Sequence, residues 1–427
     1  MYRKIKTRNI ILPIALISVL WLSCQKHEEP PIPVGKAIKY SGQILSSIDS
    51  ALQKSPYTLF YAAWKKSGID SLALNAANLT IYVPTDSAFT AAGYTASKIS
   101  SLSKAVLDSL VAFHMVYGTY VDSTLASLQG STEANTLLST PNPPMSAPNN
   151  QGYPYSTQYP YVYSLFISGN NGFWINGLMV KTNNKLIHAY RAIIYPVNHV
   201  LQKPVKDVLG TLRHDPRFTY LFESYRLSDS IYQANYSYYA GRDTGFLALS
   251  SAANITFFAP TNDAFIKYLA GIYNKQISAV TFQDLKNYQN RGYLYYDLSP
   301  MDSLMEGPLT NTPYQINTVQ VNLNGRNIEP FLNPNRPLTT GSTWLYNDLL
   351  YNAPALDGYL ITPASSYSFA VIVDLDFIHT GTQVMVKRHS TNTAPPVNII
   401  QHDIIATNGV IHVVDGLLPA PIPTFQY

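Results

Sequence analysis

Nine histidines and a scatter of carboxylates are the residues of this 427-residue chain that could do chemistry, and their spacing decides how far each could go. His114, His188 and His412 each stand inside an apolar run, where a neutral imidazole could ligate a metal or accept a proton. Neither use finds its companions, because no H-x-x-x-H, H-E-x-x-H or compact His-plus-carboxylate cluster completes a site. The three rings read instead as buried imidazoles bonded to backbone carbonyls. His402-Asp403 and His412 fall on strands expected to be neighbours, but two imidazoles and one carboxylate at unknown angles define no metal. Asp374-Leu375-Asp376 would put two carboxylates on one strand face, the start of a calcium site without the Gly-containing acidic loop that completes one. Serine is plentiful, yet no G-x-S-x-G elbow and no phosphate-binding Gly loop is present. The expectation is no catalytic residue, no metal and no cofactor.

Recognition is a better use of these side chains. Pro141 to Tyr163 reads P-N-P-P-M-S-A-P-N-N-Q-G-Y-P-Y-S-T-Q-Y-P-Y-V-Y, and a Pro/Asn-rich stretch farther on carries Trp344 and Tyr346. Flat rings stack on the C–H faces of sugars while nearby Asn and Gln amides bond the hydroxyls. Tyr153, Tyr155, Tyr159, Tyr161, Trp344 and Tyr346 are therefore the candidate ligand-binding residues. The alternative is that Pro and Tyr only pin long loops to the domain beneath them. The partner expected is an extracellular glycan or a protein.

The N-terminus says where such a partner would be met. Arg3, Lys4, Lys6 and Arg8 precede an apolar stretch from Ile10 to Leu22, too short to span a membrane comfortably and suited to a signal peptide. It ends L-W-L-S-C at Cys24, the only cysteine. A small residue before cysteine here resembles a bacterial lipoprotein signal, with Trp21 where Leu is usual; the alternative is an ordinary secretory peptide. The resemblance implies lipidation at Cys24. Residues 24–36, Pro-rich, read as a tether. The Q-K-H-E-E that follows Cys24 is similar to signals that carry lipoproteins to the outer face of the outer membrane, or else is a charged spacer. The expected localisation is the outer membrane, lipid-anchored and facing the cell exterior.

Processing also changes the charge. The net +4 belongs to residues 1–23, so the mature chain carries 25 basic and 25 acidic side chains. A neutral chain has no overall basic field for nucleic acid. With Cys24 lipidated no thiol remains, which excludes disulfides and a cysteine nucleophile.

The elements that must position these residues come in two sets. N-L-T-I-Y-V-P-T-D-S-A-F (Asn78–Phe89) returns as N-I-T-F-F-A-P-T-N-D-A-F (Asn254–Phe265), 176 positions later. Such a distance means two copies of a domain rather than a solenoid. Leu79, Ile81 and Val83 alternate, as do Ile255, Phe257 and Ala259, and mark strands with one buried face. Pro84 and Pro260 end them, and Thr85/Asp86 and Thr261/Asn262 can cap the helices that follow. Ser55-Pro56 and Asp215-Pro216 mark earlier helix starts. Thr407-Asn408-Gly409 reads as a hairpin turn. In the first copy the turn is assigned to Asn183-Asn184, which pairs Ile187-His188 with Ile411-His412. Extra residues in the second copy are expected at 232–246 and between 293 and 395.

P-T-D-S-A-F, P-T-N-D-A-F, F-H-M-V-Y-G (Phe113–Gly118) and A-T-N-G-V-I-H-V-V-D (Ala406–Asp415) together resemble the fasciclin family. The resemblance implies an α+β chain of two tandem fasciclin-like domains, each a small helical layer packed on a mostly antiparallel β wedge or sandwich, over 37–203 and 204–420. It implies adhesion or matrix-type binding rather than catalysis. The expected function is a surface-anchored binding or adhesion lipoprotein; the alternative is an accessory glycan-binding lipoprotein of a TonB-dependent nutrient-uptake system. The family's aromatic-His pair, Phe113-His114, becomes Tyr288-Gln289 in the second copy, so no receptor-binding role is carried onto it.

Overall fold

The computed structural model describes residues 45–75, 78–125, 130–145, 155–169, 171–180, 185–224, 226–227, 255–289, 344–351, 375–388 and 395–417. The signal peptide, Cys24, the tether, Tyr153, Asn183-Asn184 and the 232–246 insertion lie outside them, as does Asp374.

Domain 1 begins with three short helices, α1 (Ile48–Gln53), α2 (Thr58–Ser67) and α3 (Asp70–Asn75). Strand β1 (Leu79–Pro84) follows, then helices α4 (Asp86–Ala91), α5 (Ala96–Ser101) and α6 (Lys104–Phe113). The chain continues through β2 (Met115–Tyr117), helix α7 (Asp122–Leu125), β3 (Thr132–Thr140), β4 (Tyr161–Ser168), β5 (Trp174–Ile175), β6 (Leu178–Met179), β7 (Ile187–Ala189) and β8 (Ala192–Val197). The strands form one sheet in the order β6-β5-β4-β3-β2-β1-β8-β7, antiparallel except for the β1–β8 pair.

Alternation in β1 predicts one buried face, but all six of its residues are buried. The reason is its central place in the sheet. Leu79, Ile81 and Val83 pack under the helices with Phe60, Trp64 and Phe89. Tyr82, on the opposite face, joins a second core with Phe173 and Tyr195. Two layers therefore cover a strand that sequence pattern exposes on one side.

Domain 2 repeats the plan with α8 (Val208–Arg213), β9 (Ile255–Pro260), α9 (Asn262–Tyr273) and α10 (Phe282–Gln289). After a long interval come α11 (Tyr346–Tyr351), β10 (Leu375–Thr380), β11 (Gln383–Arg388), β12 (Val397–Ala406) and β13 (Gly409–Val414). Its described sheet has the order β10-β11-β12-β13-β9, again with one parallel pair, β13 with β9.

Those parallel pairs fix the true correspondence between the copies. Leu79 faces Ala192 in domain 1, and Ile255 faces Gly409 in domain 2. Ala192 therefore answers Gly409, 217 positions on, and the residues that answer Ile411-His412 are Ile194-Tyr195. The pairing with Ile187-His188 is corrected accordingly: the domain 1 turn is Tyr190-Arg191, where Arg191 takes φ 57°. The backbone confirms it, since Tyr190 N–H donates to Ser46 O at 2.8 Å and Thr407 N–H to Lys206 O at 2.9 Å. Sequence pattern missed this turn because no Gly or Asn occupies it.

Thr80 and Thr256, 176 positions apart, locate a second correspondence. Thr80 Oγ1 accepts from Tyr120 N–H at 2.9 Å, and Thr256 Oγ1 accepts from Trp344 N–H at 2.8 Å. Trp344 thus holds the place of Tyr120, and α11 the place of α7. The described residues of domain 2 follow the plan up to Gln289 and again from Trp344.

The two domains meet in one continuous junction. Phe166 of β4 packs with Leu345, Val410 and Ile405 of domain 2. Tyr161 hydroxyl donates to Thr407 O at 2.7 Å, and Asn347 Nδ2 donates to Ser168 Oγ at 3.3 Å. The hairpin joining β5 to β6 turns at Asn176-Gly177, with φ 52° and 77°. Its tip approaches Asp403 so closely that a Cβ on Gly177 would lie 2.2 Å from a carboxylate oxygen. Only glycine meets both demands.

Candidate ligand-binding site

The motif side chains are consumed by the scaffold. Thr85 and Thr261 accept from Ala88 and Ala264 N–H at 3.3 and 3.4 Å and cap their helices. Asp86 reaches back to the start of α2, where it accepts from Thr58 N–H at 3.2 Å and Leu59 N–H at 3.0 Å. Asn262 does the same in domain 2, accepting from Tyr220 N–H at 2.9 Å. Helix α2 has no side-chain cap of its own, so Ser55 does not serve it; the distant Asp86 does. Asn408 accepts from Val208 N–H at 2.8 Å, at the start of α8.

The histidines divide. His114 is fully buried at the end of α6, its Nδ1 2.8 Å from Leu110 O while Nε2 accepts from Leu201 N–H at 3.0 Å. Burial drives its pKa down to about 4, so the ring is neutral at pH 7. His412 is buried in β13 and donates from Nε2 to Trp344 O at 2.8 Å, with its pKa also lowered by burial. His188, on β7, is exposed and faces Ile193 across the hairpin. His402 Nδ1 lies 2.8 Å from Asp403 Oδ2, and its ring stacks on Tyr346 with centroids 4.0 Å apart. Among the described residues no group of three or more His, Cys, Asp or Glu could hold a metal.

The aromatic candidates separate more sharply. Trp344 is 9% exposed and belongs to the domain 2 core with Phe258, Val384 and Val414, so its expected place on a ligand platform is corrected to core. Its indole is drawn inward because the backbone on both sides of it bonds to β9 and β13. Tyr346 is half-buried: its hydroxyl accepts from Val384 N–H at 2.8 Å and donates to Thr382 O at 2.9 Å, and one ring face lies on His402. The hydroxyl and that ring face are therefore taken up within domain 2.

Tyr155, Tyr161 and Tyr163 form an edge-to-face ladder, with centroids 5.4 and 4.8 Å apart. Burial pushes the Tyr161 phenol well above its ordinary pKa. Lys203 Nζ caps the ladder 5.5 Å from the Tyr163 ring centroid. Tyr159 differs from all of these. It is 50% exposed on a tight turn closed by Ser156 N–H to Tyr159 O and Tyr159 N–H to Ser156 Oγ. Beside the ladder opens a groove of about 440 Å³, lined among others by Leu138, Ser139, Asn142, Pro144 and Lys203. Tyr163 and Lys203 belong to both ladder and groove, whereas Tyr159 stands on the turn that leads into β4 and is not among the groove's lining residues. Sequence reasoning named the rings but not the groove, whose Ser139 and Lys203 carry no pattern.

Residues 55–203 match the family model of the fasciclin domain. A search among curated proteins returns no match. Among solved structures, a FAS1 domain pair from the insect cell adhesion molecule Fasciclin I aligns with 86% of this chain and 97% of its own, at 12% identity and a TM-score of 0.29.

Proposed function

Starting from the fasciclin domain that residues 55–203 form and the second copy of its plan in domain 2, we propose that this chain is a surface-anchored binding or adhesion lipoprotein. Fasciclin domains are associated with adhesion and binding and are in general non-catalytic. In this reading Cys24 carries the lipid that holds the chain on the outer membrane, exposed to the exterior. The ligand is an extracellular glycan or protein, met by the exposed Tyr159 and by the groove lined by Ser139, Asn142 and Lys203.

The observation that carries the reading is the contrast within the aromatic set. Trp344 is buried in the core and the hydroxyls of Tyr346 and Tyr161 are bonded inside the protein, whereas Tyr159 presents half its surface to solvent on a turn held by Ser156. Loops on a rigid support are the usual seat of recognition. A neutral glycan would stack on Tyr159 and bond the groove's hydroxyls and amide.

Binding of the lipid-free chain to neutral oligosaccharides, followed by calorimetry, tests this. Tyr159→Ala should weaken binding by about 0.5–1.5 kcal/mol with thermal unfolding unchanged. Added salt should change little, since the mature chain is neutral. Full affinity in Tyr159→Ala together with loss in Tyr346→Ala would move the site to domain 2. For the anchor, Cys24→Ser should release the chain from the membrane fraction; continued membrane association would place the anchor elsewhere.

A further inference from the structure

Asp348 occupies in domain 2 the place that Thr124 occupies in domain 1. Thr124 Oγ1 accepts from Val121 N–H at 3.0 Å at the start of α7, and Asp348 Oδ2 accepts from Leu345 N–H at 2.9 Å at the start of α11. A hydroxyl is enough for that local cap, and Thr124 turns its own proton back to Val121 O at 2.8 Å. The carboxylate brings a second oxygen. Asp348 Oδ1 crosses the junction and accepts from Ser131 N–H of domain 1 at 2.6 Å, in a site where Asp348 is only 4% exposed. Asn347, next in the helix, bonds Ser168 of domain 1, and Leu345 closes the apolar side with Phe166.

We propose that α11 is a latch, in which Asp348 locks domain 1 to domain 2 and loosens its hold as its carboxylate ionises. The closed junction removes this carboxyl from water, and two N–H donors recover only part of the lost hydration, so the charged form is the costly one. Burial raises its pKa to about 6 despite the N–H groups of Leu345 and Ser131, and the charge of Asp403 adds to the rise. Asp403, on β12, is held by Tyr346 N–H at 2.8 Å, and His402 stands on its far oxygen. The titratable groups on the elements packed around this junction are Asp403 and His402 of β12, His412 of β13 and Glu133 of β3, two residues beyond Ser131; of these the Asp403 charge is the one that acts on Asp348. In an opened junction the carboxyl meets water and returns to an ordinary value near about 3.9. A group whose closed-state pKa is the higher one stabilises the closed state below both values and loses that contribution as pH rises through about 6. Mild acid therefore tightens the junction and neutral pH slackens it. This does not depend on which ligand the chain binds.

Amide hydrogen exchange on the full chain, corrected for intrinsic rates, reads the latch directly. Protection at Ser131 and across the 174–179 hairpin should fall by roughly tenfold or more from about pH 5 to about pH 7.5. Asp348→Asn and Asp348→Thr cannot ionise, and Thr restores the residue domain 1 uses, so protection in either variant should be flat across the range. Gly177→Ala drives a Cβ into Asp403 and should leave the same amides weakly protected at both pH values, which calibrates the open state. Wild-type protection that holds steady or rises with pH overturns the proposal, as does a wild-type slope retained in both Asp348 variants.

Discussion

Two strand pairs, β1 with β8 and β9 with β13, share one register and solve the same problem with different residues. In domain 1 the facing pair is Tyr82 and Tyr195, with rings 5.9 Å apart; in domain 2 it is Phe258 and His412, 5.5 Å apart. Each domain must satisfy one carbonyl on the segment that crosses Thr80 or Thr256. Tyr82 hydroxyl donates to Tyr120 O at 3.2 Å from the first strand. Phe258 has no hydroxyl, and His412 Nε2 donates to the equivalent Trp344 O at 2.8 Å from the last strand. What the repeat preserves is a bonded carbonyl, because an unpaired one would cost free energy in the core. The identity of the donor is free to change. A buried histidine inside an apolar motif is thus explained without a ligand.

The comparison breaks most visibly at Trp344. Tyr120 holds the same backbone place but is half-exposed, whereas the Trp344 indole fills the core beside Phe258 and Val384. Trp344→Ala should cost about 3–5 kcal/mol in chemical denaturation, while Tyr120→Ala costs clearly less. A stable Trp344→Ala variant with weakened glycan binding would return this residue to the ligand site.

Acid should separate the histidines from the junction. His114 is neutral in the folded chain with a pKa of about 4, against about 6.5 unfolded, so the unfolded state binds more protons between those values. Stability is full above about 6.5 and declines as pH falls through the window, by about 3 kcal/mol at its end. His412 adds a loss of the same sign, since its pKa is lowered too. Asp348 acts in the opposite sense. Urea unfolding at a series of pH values should show the decline in wild type and a flatter curve in His114→Gln; an equal slope in both would discard His114 as its source.

A residue exchange sharpens the donor-swap argument. His412→Phe removes the Nε2 bond to Trp344 O and should cost about 1–3 kcal/mol. Adding Phe258→Tyr supplies the domain 1 donor, and the double variant should regain about 1 kcal/mol of that loss. Additive costs in the thermodynamic cycle would show that the two positions do not serve one carbonyl.

Much of this plan was legible because turns and caps have few chemical solutions. Thr85 and Thr261, the Pro that ends each strand and the hairpin turn at Thr407-Asn408 all announced themselves, and the α+β class came with the family resemblance these motifs carry. The Tyr190-Arg191 turn did not, since nothing in either side chain requires a left-handed backbone; only the β1–β8 pairing reveals it. Local pattern gives Asp86 to the helix that follows it, whereas its carboxylate accepts from Leu59 N–H, 27 positions earlier, a contact no local pattern encodes. The junction was the least visible feature. Ser131, Phe166, Gly177 and Asp348 are ordinary surface-like letters until the domains are brought together. Likewise the aromatic candidates looked alike in sequence, because exposure is set by where a chain segment returns, as Trp344 shows.

The finest test falls beside the tyrosine ladder, where support and recognition lie two positions apart. Tyr161 and Tyr159 are two positions apart in the chain, yet Tyr161 gives its hydroxyl to Thr407 O in the other domain while Tyr159 stays half-exposed. Tyr161→Phe keeps the ring stacked between Tyr155 and Tyr163 and removes only the proton donor. It should lower stability by about 1 kcal/mol, the net value of one hydrogen bond, and leave glycan binding unchanged. Tyr159→Phe should leave stability unchanged, because it keeps the half-exposed ring and removes only a hydroxyl that accepts from the exposed Gln158 amide at 3.2 Å. Denaturation and binding measured on the same two variants give four numbers with one expected pattern. If Tyr161→Phe weakens binding without destabilising, the ladder is itself the recognition surface, and its bond to Thr407 is incidental.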